Sequence, residues 1–519
     1  MKRPSHERVD PDSLLTESEL HRHILIRPLK KKVSTTTMFF FIFLLFVLVL
    51  AFAGWFDSVS LNTKKFSNFS GIISYHKSTP TIVAKKPPQI SEFPLSCTEE
   101  NITQTCPRTY PTSHNPSRPS NLTCPSYFRW IHEDLGHWKV TGITREMVEK
   151  ARKTADFRLV ILEGKAYIET YKQSYETRDV FSQWGILQLL RLYPGKLPDL
   201  ELMFECGDSP VVESSDFLDP NSGPPPLFRY CGNESSLDIV FPDWTFWGWA
   251  ELNIRPWANL LEDIKEGNKR TKWEDREPYA YWRGNPYVAP TRDDLLKCDV
   301  SDEHDWNTRL YVQNWTEEQK EGYKQSKLQD QCTFRYKIYI EGWAWSVSEK
   351  YILACDSMTL YIKSHYHDFF IRGMIPLEHY WPIRRKSKCK SLKFAVDWGN
   401  THTDKAKAIG NAASNFIQED LKMDNVYDYM FHLLNEYAKL LKFKPTIPLG
   451  AVELCSETLA CPKNGTWKDF MAESMVNSSK ETTPCNLPPH DPHTVSDLLQ
   501  RKVSSIKRVE AWDDEYWGN

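Results

Sequence analysis

The sequence lacks most of the short signatures from which an enzyme class is read directly. It has no G-x-S-x-G elbow, which excludes the usual Ser-His-Asp hydrolase, and neither a P-loop nor a G-x-G-x-x-G fingerprint. No C-x-x-C pair occurs among its 12 cysteines, which removes the common structural zinc site. Excess charge is equally scarce. Against 68 Asp and Glu stand 65 Lys and Arg, a net of −3, so the chain carries no nucleic-acid footprint. Its only D-x-D triplet, Asp10-Pro11-Asp12, precedes the one long apolar run. There is no internal repeat, and the C-terminal Tyr516-Trp517-Gly518-Asn519 is not a KDEL-like retrieval signal.

What is present begins with residues 38–55, MFFFIFLLFVLVLAFAGW, 18 residues without a charge and long enough to cross a bilayer. Ala51-Phe52-Ala53 also fits a signal-peptidase site, but the 37 preceding residues far exceed a usual n-region, so an uncleaved anchor is expected. Arg27, Lys30, Lys31 and Lys32 place the basic end in the cytosol and the remainder in the lumen, a type II membrane protein. All seven N-x-S/T sequons, from Asn68 to Asn477, and all 12 cysteines follow the apolar run, as that topology requires. An even cysteine count suits disulfides, whose pairing the sequence leaves open. The short span suits a thin Golgi or endoplasmic reticulum membrane, with the Golgi as first expectation.

At 519 residues, two or more domains are expected. Residues 1–37 read as a cytosolic tail, 38–55 as the anchor and 56–121, rich in Ser, Thr, Pro and Lys, as a flexible lumenal stem. The head spans 122–445, and 446–519 form a C-terminal extension for which the sequence supplies no role. Within the head, apolar runs at 157–162, 200–206, 237–241, 338–340 and 359–362 alternate with helical patterns, which predicts an α/β fold. Two amphipathic helices are predicted at 406–421 and 426–441.

Four stretches can carry chemistry. LELMFEC at 200–206 reads as a strand followed by Gly207-Asp208-Ser209-Pro210, and ligands of α/β sheets collect at strand carboxyl ends, which makes Asp208 a candidate base or an Asx turn. FPDWTFWGWAELNIRPW at 241–257 holds four tryptophans, suited to sugar stacking or to core, and ends near Arg255. YAYWRGNPYVAPTRDDLL at 279–296 sets Arg283, Asn285 and Arg292 around a Gly/Pro loop, where arginine forks match phosphate oxygens or pair with Asp293 and Asp294. Residues 337–363, KIYIEGWAWSVSEKYILACDSMTLYIK, predict a βαβ unit whose helix opens with a Ser346/Glu349 capping box, able to present backbone N–H groups to a diphosphate. His365, His367, Asp293 and Asp294 are better explained as structural or solvated than as metal ligands. A metal-independent site is therefore expected, with no cofactor.

Taken together, LPDLELMFECGDSP, FPDWTFWGWAE, AYWRGNPYVAPTRDDLL and the 337–363 block resemble the Rumi-like protein O-glucosyltransferases and capsule-associated xylosyltransferases, particularly their plant branch, over residues 124–441. The resemblance implies two Rossmann-like lobes of GT-B type and inverting transfer of glucose or xylose from a UDP-sugar to a protein or polysaccharide hydroxyl. It implies that Asp208 is the catalytic base. Arg255, Asn285 and Arg292 would contact the donor, and Trp343, Ala344, Trp345, Ser346, Val347 and Ser348 would form the UDP-binding turn. Animal members resemble GVAASFR at this turn where the chain has GWAWSVS, so Ser348 replaces an arginine, and Arg255 stands where those members carry a tyrosine. Lys350 or Arg255 is then expected to supply the missing charge. Two other readings compete: a non-catalytic carbohydrate-binding or scaffold protein, and a glycoside hydrolase pairing Asp208 with Asp243 or Glu251.

Overall fold

The computed structural model describes residues 93–97, 105–107, 111–219 and 222–518. The predicted cytosolic tail, the 38–55 anchor and most of the stem lie outside these residues. Among the described residues no helix is long and apolar enough to cross a membrane.

The first sheet uses β1 (Phe157–Leu162), β2 (Lys165–Thr170), β3 (Leu200–Phe204), β4 (Leu227–Arg229), β6 (Ile239–Val240) and β13 (Val452–Leu454), in the order β13-β2-β1-β3-β4-β6. Glu163 and Gly164, both at positive φ, close the β1–β2 hairpin as a two-residue turn. β5 (Gly232–Asn233) pairs with β11 (Tyr366–His367) in a separate ribbon. The second sheet is parallel throughout: β7 (Glu277–Gly284), β8 (Thr308–Val312), β9 (Phe334–Tyr339), β10 (Met358–Ile362) and β12 (Trp381–Ile383), in the order β12-β10-β9-β7-β8.

The mixed α/β class therefore matches the expectation, and the first sheet corrects one detail. Its β13, β2, β1 and β3 pair antiparallel and only β3-β4-β6 are parallel, so that half is not a plain Rossmann sheet. The predicted βαβ unit is present: β9 leads through α4 to a parallel β10. The main helices are α1 (Arg178–Leu192), α2 (Trp257–Arg270), α3 (Pro290–Leu295), α4 (Glu349–Leu353), α5 (Lys388–Thr401), α6 (Thr403–Asn415), α7 (Met423–Leu440) and α8 (Pro492–Trp517). The last two before the extension, α6 and α7, fall on the predicted amphipathic segments, with a π-turn at Phe416–Asp420 ending the first.

The boundaries drawn at 121 and 445 do not separate structural units. Cys97–Cys461 and Cys106–Cys455 tie the end of the stem to the extension, and Cys124–Cys485 ties the start of the head to it. The extension supplies edge strand β13, and α8 packs against the second sheet through Val509 and Trp512, which stacks on Trp381 and Trp398. Cys298–Cys389 and Cys332–Cys355 complete five disulfides, and Cys206 and Cys231 remain as buried thiols. Of the described sequon asparagines, Asn121, Asn314, Asn464 and Asn477 are exposed and Asn233 is partly so, which leaves each accessible to a glycan.

Candidate active site

A cleft of about 460 Å³ is lined from both sheets, by the loops after β3 and β6 on one side and after β7, β8 and β9 on the other. In chain order the second sheet's strands run 5-4-3-1-2, so the order reverses between β7 and β9. A crevice at the carboxyl ends beside such a reversal is where open parallel sheets bind ligands. Asn285, Gly342 and Ser346 on the loops leaving these two strands, and Arg292 on α3 after β7, line it.

Asp208 lines the cleft, on the loop that leaves β3. That loop is fixed by three bonds: Cys206 N–H donates to Asp156 Oδ2 at 2.7 Å, Gly207 N–H to Glu205 Oε2 at 3.1 Å, and the Cys231 thiol to the Asp208 carbonyl at 3.0 Å. A side chain at Gly207 would put its Cβ 2.7 Å from Glu205 Oε1 and displace that carboxylate from its bond to the Gly207 N–H. Arg178 Nη1 donates to Asp208 Oδ1 at 2.7 Å, while Oδ2 has no partner among the described residues. Arg178 is itself buried and held over the Trp244 ring at 4.6 Å. One carboxylate oxygen is thus clamped and the other faces the cleft, the arrangement a general base needs.

On the opposite wall Arg292 Nη2 donates to Ser346 Oγ at 2.9 Å, and Nε and Nη1 donate to the Glu341 and Asn285 carbonyls at 3.0 and 3.3 Å. Ser346 Oγ is also 2.8 Å from Ser348 Oγ. Burial pushes the Arg292 guanidinium down to about 10, which still leaves it charged at neutral pH. This fork and two hydroxyls form a cradle for anionic oxygens. The predicted capping box is not formed. α4 begins after Ser348 without a side-chain cap, and Ser346 spends its hydroxyl on Arg292 and Ser348. With only five residues α4 accumulates little dipole, so Arg292 and the serines replace the helix terminus expected at this turn.

Asp208, Asn285, Arg292, Trp343, Trp345, Ser346, Val347 and Ser348 meet in the cleft, whereas Ala344 is packed into the core beside it. Two expected residues lie elsewhere. Arg255 faces a neighbouring groove, where it bonds Asp263 at 2.8 Å and Glu473 at 3.2 Å. Lys350 points into the core beneath the turn, donating to Thr245 Oγ1 at 2.6 Å and Asp243 Oδ2 at 3.2 Å. Neither supplies charge to the cleft; Arg292 does. The tryptophans also separate: Trp247 and Trp257 are core, buried Trp244 and half-buried Trp249 line the cleft, and the exposed one at the cleft is Trp343, 68% accessible.

Of the proposed hydrolase partners, Asp243 is buried against Lys350 and Glu251 accepts from Thr177 at 2.8 Å; neither lines the cleft. Glu176 does, with its carboxylate accepting from Trp249 Nε1 at 2.7 Å and burial raising its pKa. Sequence reasoning missed Glu176, Arg178 and Gln313; the only available signal was a charged Glu176-Thr177-Arg178 run at a helix start. Among the described residues the one close metal-type trio is Cys124, His432 and Cys485, and its cysteines are joined to each other in a disulfide.

A switch-point cleft that brings a half-free carboxylate opposite an arginine–serine cradle suits a group-transfer enzyme with an anionic donor. Comparison supplies the family. Residues 119–513 match the glycosyl transferase family 90 model, so the chain belongs to that family and is a glycosyltransferase. It is similar to protein O-glucosyltransferase 1 of Bos taurus, 27% identical over 358 residues that cover 66% of this chain and 86% of the bovine one. Protein O-glucosyltransferase 2 of Danio rerio is 25% identical, covering 69% and 70%, and O-glucosyltransferase rumi of Drosophila melanogaster is 23% identical, covering 63% and 80%.

Proposed function

We propose that the protein transfers glucose or xylose from a UDP-sugar to a hydroxyl of a protein or polysaccharide acceptor, with inversion and without a metal ion. The two sheets act as the two lobes of a GT-B enzyme. The single observation that carries this reading is the cleft itself, with Asp208 on one wall and the Arg292–Ser346–Ser348 cradle on the other. The similarity to protein O-glucosyltransferases supports a protein acceptor.

In the step, the acceptor oxygen attacks the anomeric carbon as Asp208 Oδ2 takes its proton. The bond from that carbon to the diphosphate oxygen breaks, and UDP leaves with the electron pair. Arg292, with the Ser346 and Ser348 hydroxyls, neutralises the charge that develops on the leaving group. Arg178 holds the base in line while Asp208 is ionised. The 38–55 segment anchors the enzyme as a type II protein of the Golgi or endoplasmic reticulum, with the cleft in the lumen.

The test is UDP release by the full-length chain in detergent, across a panel of UDP-sugars with and without EDTA, using wild type and Asp208→Asn. Release that favours one sugar, survives EDTA and is lost in the variant is expected. Loss of activity in EDTA would overturn the metal-independent part, and an active variant would remove Asp208 from the role of base.

A further inference from the structure

Lys337 lies on β9 opposite Tyr281 of β7 and lines the same cleft. It is 3% exposed and, among the described residues, forms no ion pair. Its one hydrogen bond runs to Cys355 Sγ at 3.4 Å, a weak acceptor held in the Cys332–Cys355 disulfide, and its Nζ stands 5.7 Å from the Tyr281 ring. Gln331, adjacent to Cys332, and Ile352, three residues before Cys355, line this part of the cleft too. A buried ammonium without a counter-charge is costly, and a position needed only for packing would hold an apolar side chain.

We propose that Lys337 is a binding residue for the donor: its ammonium takes an oxygen of the bound nucleotide, and donor binding thereby takes up a proton. The inference rests on the reading of the cleft as a UDP-sugar site. The titratable and charged groups on the elements around Lys337 are Arg276 ahead of β7, Tyr281 and Arg283 on β7, Tyr351 on α4 and Asp356 just past it; Arg283 also lines the cleft and bonds the Gln325 carbonyl at 2.8 Å. Asp356 is engaged by Ser414 Oγ at 2.5 Å and acts on Arg276. Burial, then Arg276, pushes Lys337 down to about 7. In the empty enzyme above that pH the amine is mostly neutral; an acceptor oxygen placed against it favours the ammonium, so affinity falls as pH rises.

The experiment is isothermal titration of the full-length chain with UDP at pH 8, in two buffers of different ionisation enthalpy, and again across pH 7 to 9. Wild type is expected to take up nearly one proton per UDP and to lose up to about tenfold in affinity per pH unit above 8. Lys337→Met is expected to bind UDP about tenfold or more weakly at pH 7, with no proton uptake. Its fold is checked by circular dichroism. No uptake in wild type, or undiminished uptake in Lys337→Met, would overturn the proposal. Wild type that fails to bind UDP at all would instead remove the UDP-sugar reading on which it rests. A uridine arm separates two sources of the oxygen: uptake with uridine places it on the base or ribose, and uptake with UDP alone places it on a phosphate.

Discussion

Replacing Lys350 by methionine separates the two roles that a lysine beside the UDP-binding turn can have. The ammonium and the Asp243 carboxylate are 1% and 5% exposed and 3.2 Å apart, beside Asp368, which burial pushes up to about 7, and Glu349, which burial and Asp368 also raise. Removing the only cation that bonds Asp243 among the described residues leaves a buried carboxylate uncompensated, at about 3–5 kcal/mol. Loss of the contact with the Phe246 ring, 4.6 Å away, adds about 1 kcal/mol. With roughly 2 cal/mol/K of unfolding entropy per residue over the ordered chain, such a loss lowers Tm by about 5–7 °C. Differential scanning calorimetry of Lys350→Met reads this directly. Lys350→Met with Asp243→Asn should recover at least half of the loss, because the amide keeps an acceptor for Thr245 N–H but no longer needs a counter-charge. UDP affinity at 25 °C, well below the transition, should stay within about fivefold of wild type. A Lys350→Met protein of normal Tm that loses UDP affinity a hundredfold would refute the placement of Lys350 beneath the turn and return it to the diphosphate.

Four further outcomes follow from the geometry. Asp208→Asn should cut transfer by roughly 10²–10⁴-fold while leaving UDP affinity nearly unchanged, as measured by product formation and calorimetry. Arg292→Met should weaken UDP binding about 10- to 100-fold and Arg255→Ala by less than about twofold; equal losses would mean that the cleft is drawn around the wrong arginine. Lys337→Met should stabilise the empty protein. The lysine's folded pKa is depressed to about 7 from an unfolded value near 10.4, so its penalty is full below pH 7 and disappears as pH rises toward 10. The stability gain of the variant in urea titrations should therefore shrink by about 2 kcal/mol between pH 7 and pH 9, and a constant gain would contradict the depressed pKa. Ending the chain at 445 removes β13, α8 and one partner of each of three disulfides, so the truncated protein should aggregate in detergent extracts where the full chain elutes as a folded species on size-exclusion chromatography.

The strands that could be read from sequence are the fully buried ones. FRLVIL at β1 and MTLYI at β10 are apolar runs broken only by Arg158 and Thr359, and each is found within a residue of the expected limits. Asp208 was legible for the same reason, since a carboxylate just past a buried strand has few other places to be. Helix α1 escaped because 13 of its 15 residues are buried, so it has no polar face to create a 3.6-residue rhythm; with it went Glu176 and Arg178 at its start. The outer antiparallel edge of the first sheet is hidden because β13 pairs with β2 from more than 280 residues further along the chain, a pairing no local pattern encodes. Arg255 and Lys350 were misplaced because a charge near a motif says nothing about which way the side chain faces, and here each turns to a nearby acid: Arg255 to Asp263 and Glu473, Lys350 to Asp243.

That misplacement also shows how this turn manages without the arginine implied by the family resemblance. Besides Arg178, which is paired with Asp208, the positive charge lining the cleft comes from Arg283 and Lys337 on the parallel strands and Arg292 on α3, and none of them belongs to the turn; Arg292 and Lys337 are the two most deeply desolvated of these three. Both are held where solvation is poor, and burial lowers the pKa of each. Such cations weaken the empty protein, yet in a low-dielectric cleft they attract a diphosphate or a carbonyl oxygen more strongly than a solvated arginine would. Binding that supplies the missing counter-charge should therefore raise the stability of the wild type more than that of Lys337→Met at the same UDP concentration, because the lysine contributes affinity only while the ligand is present. A residue whose removal strengthens the empty fold and weakens the complex is accounted for by its ligand, and by nothing in the core around it.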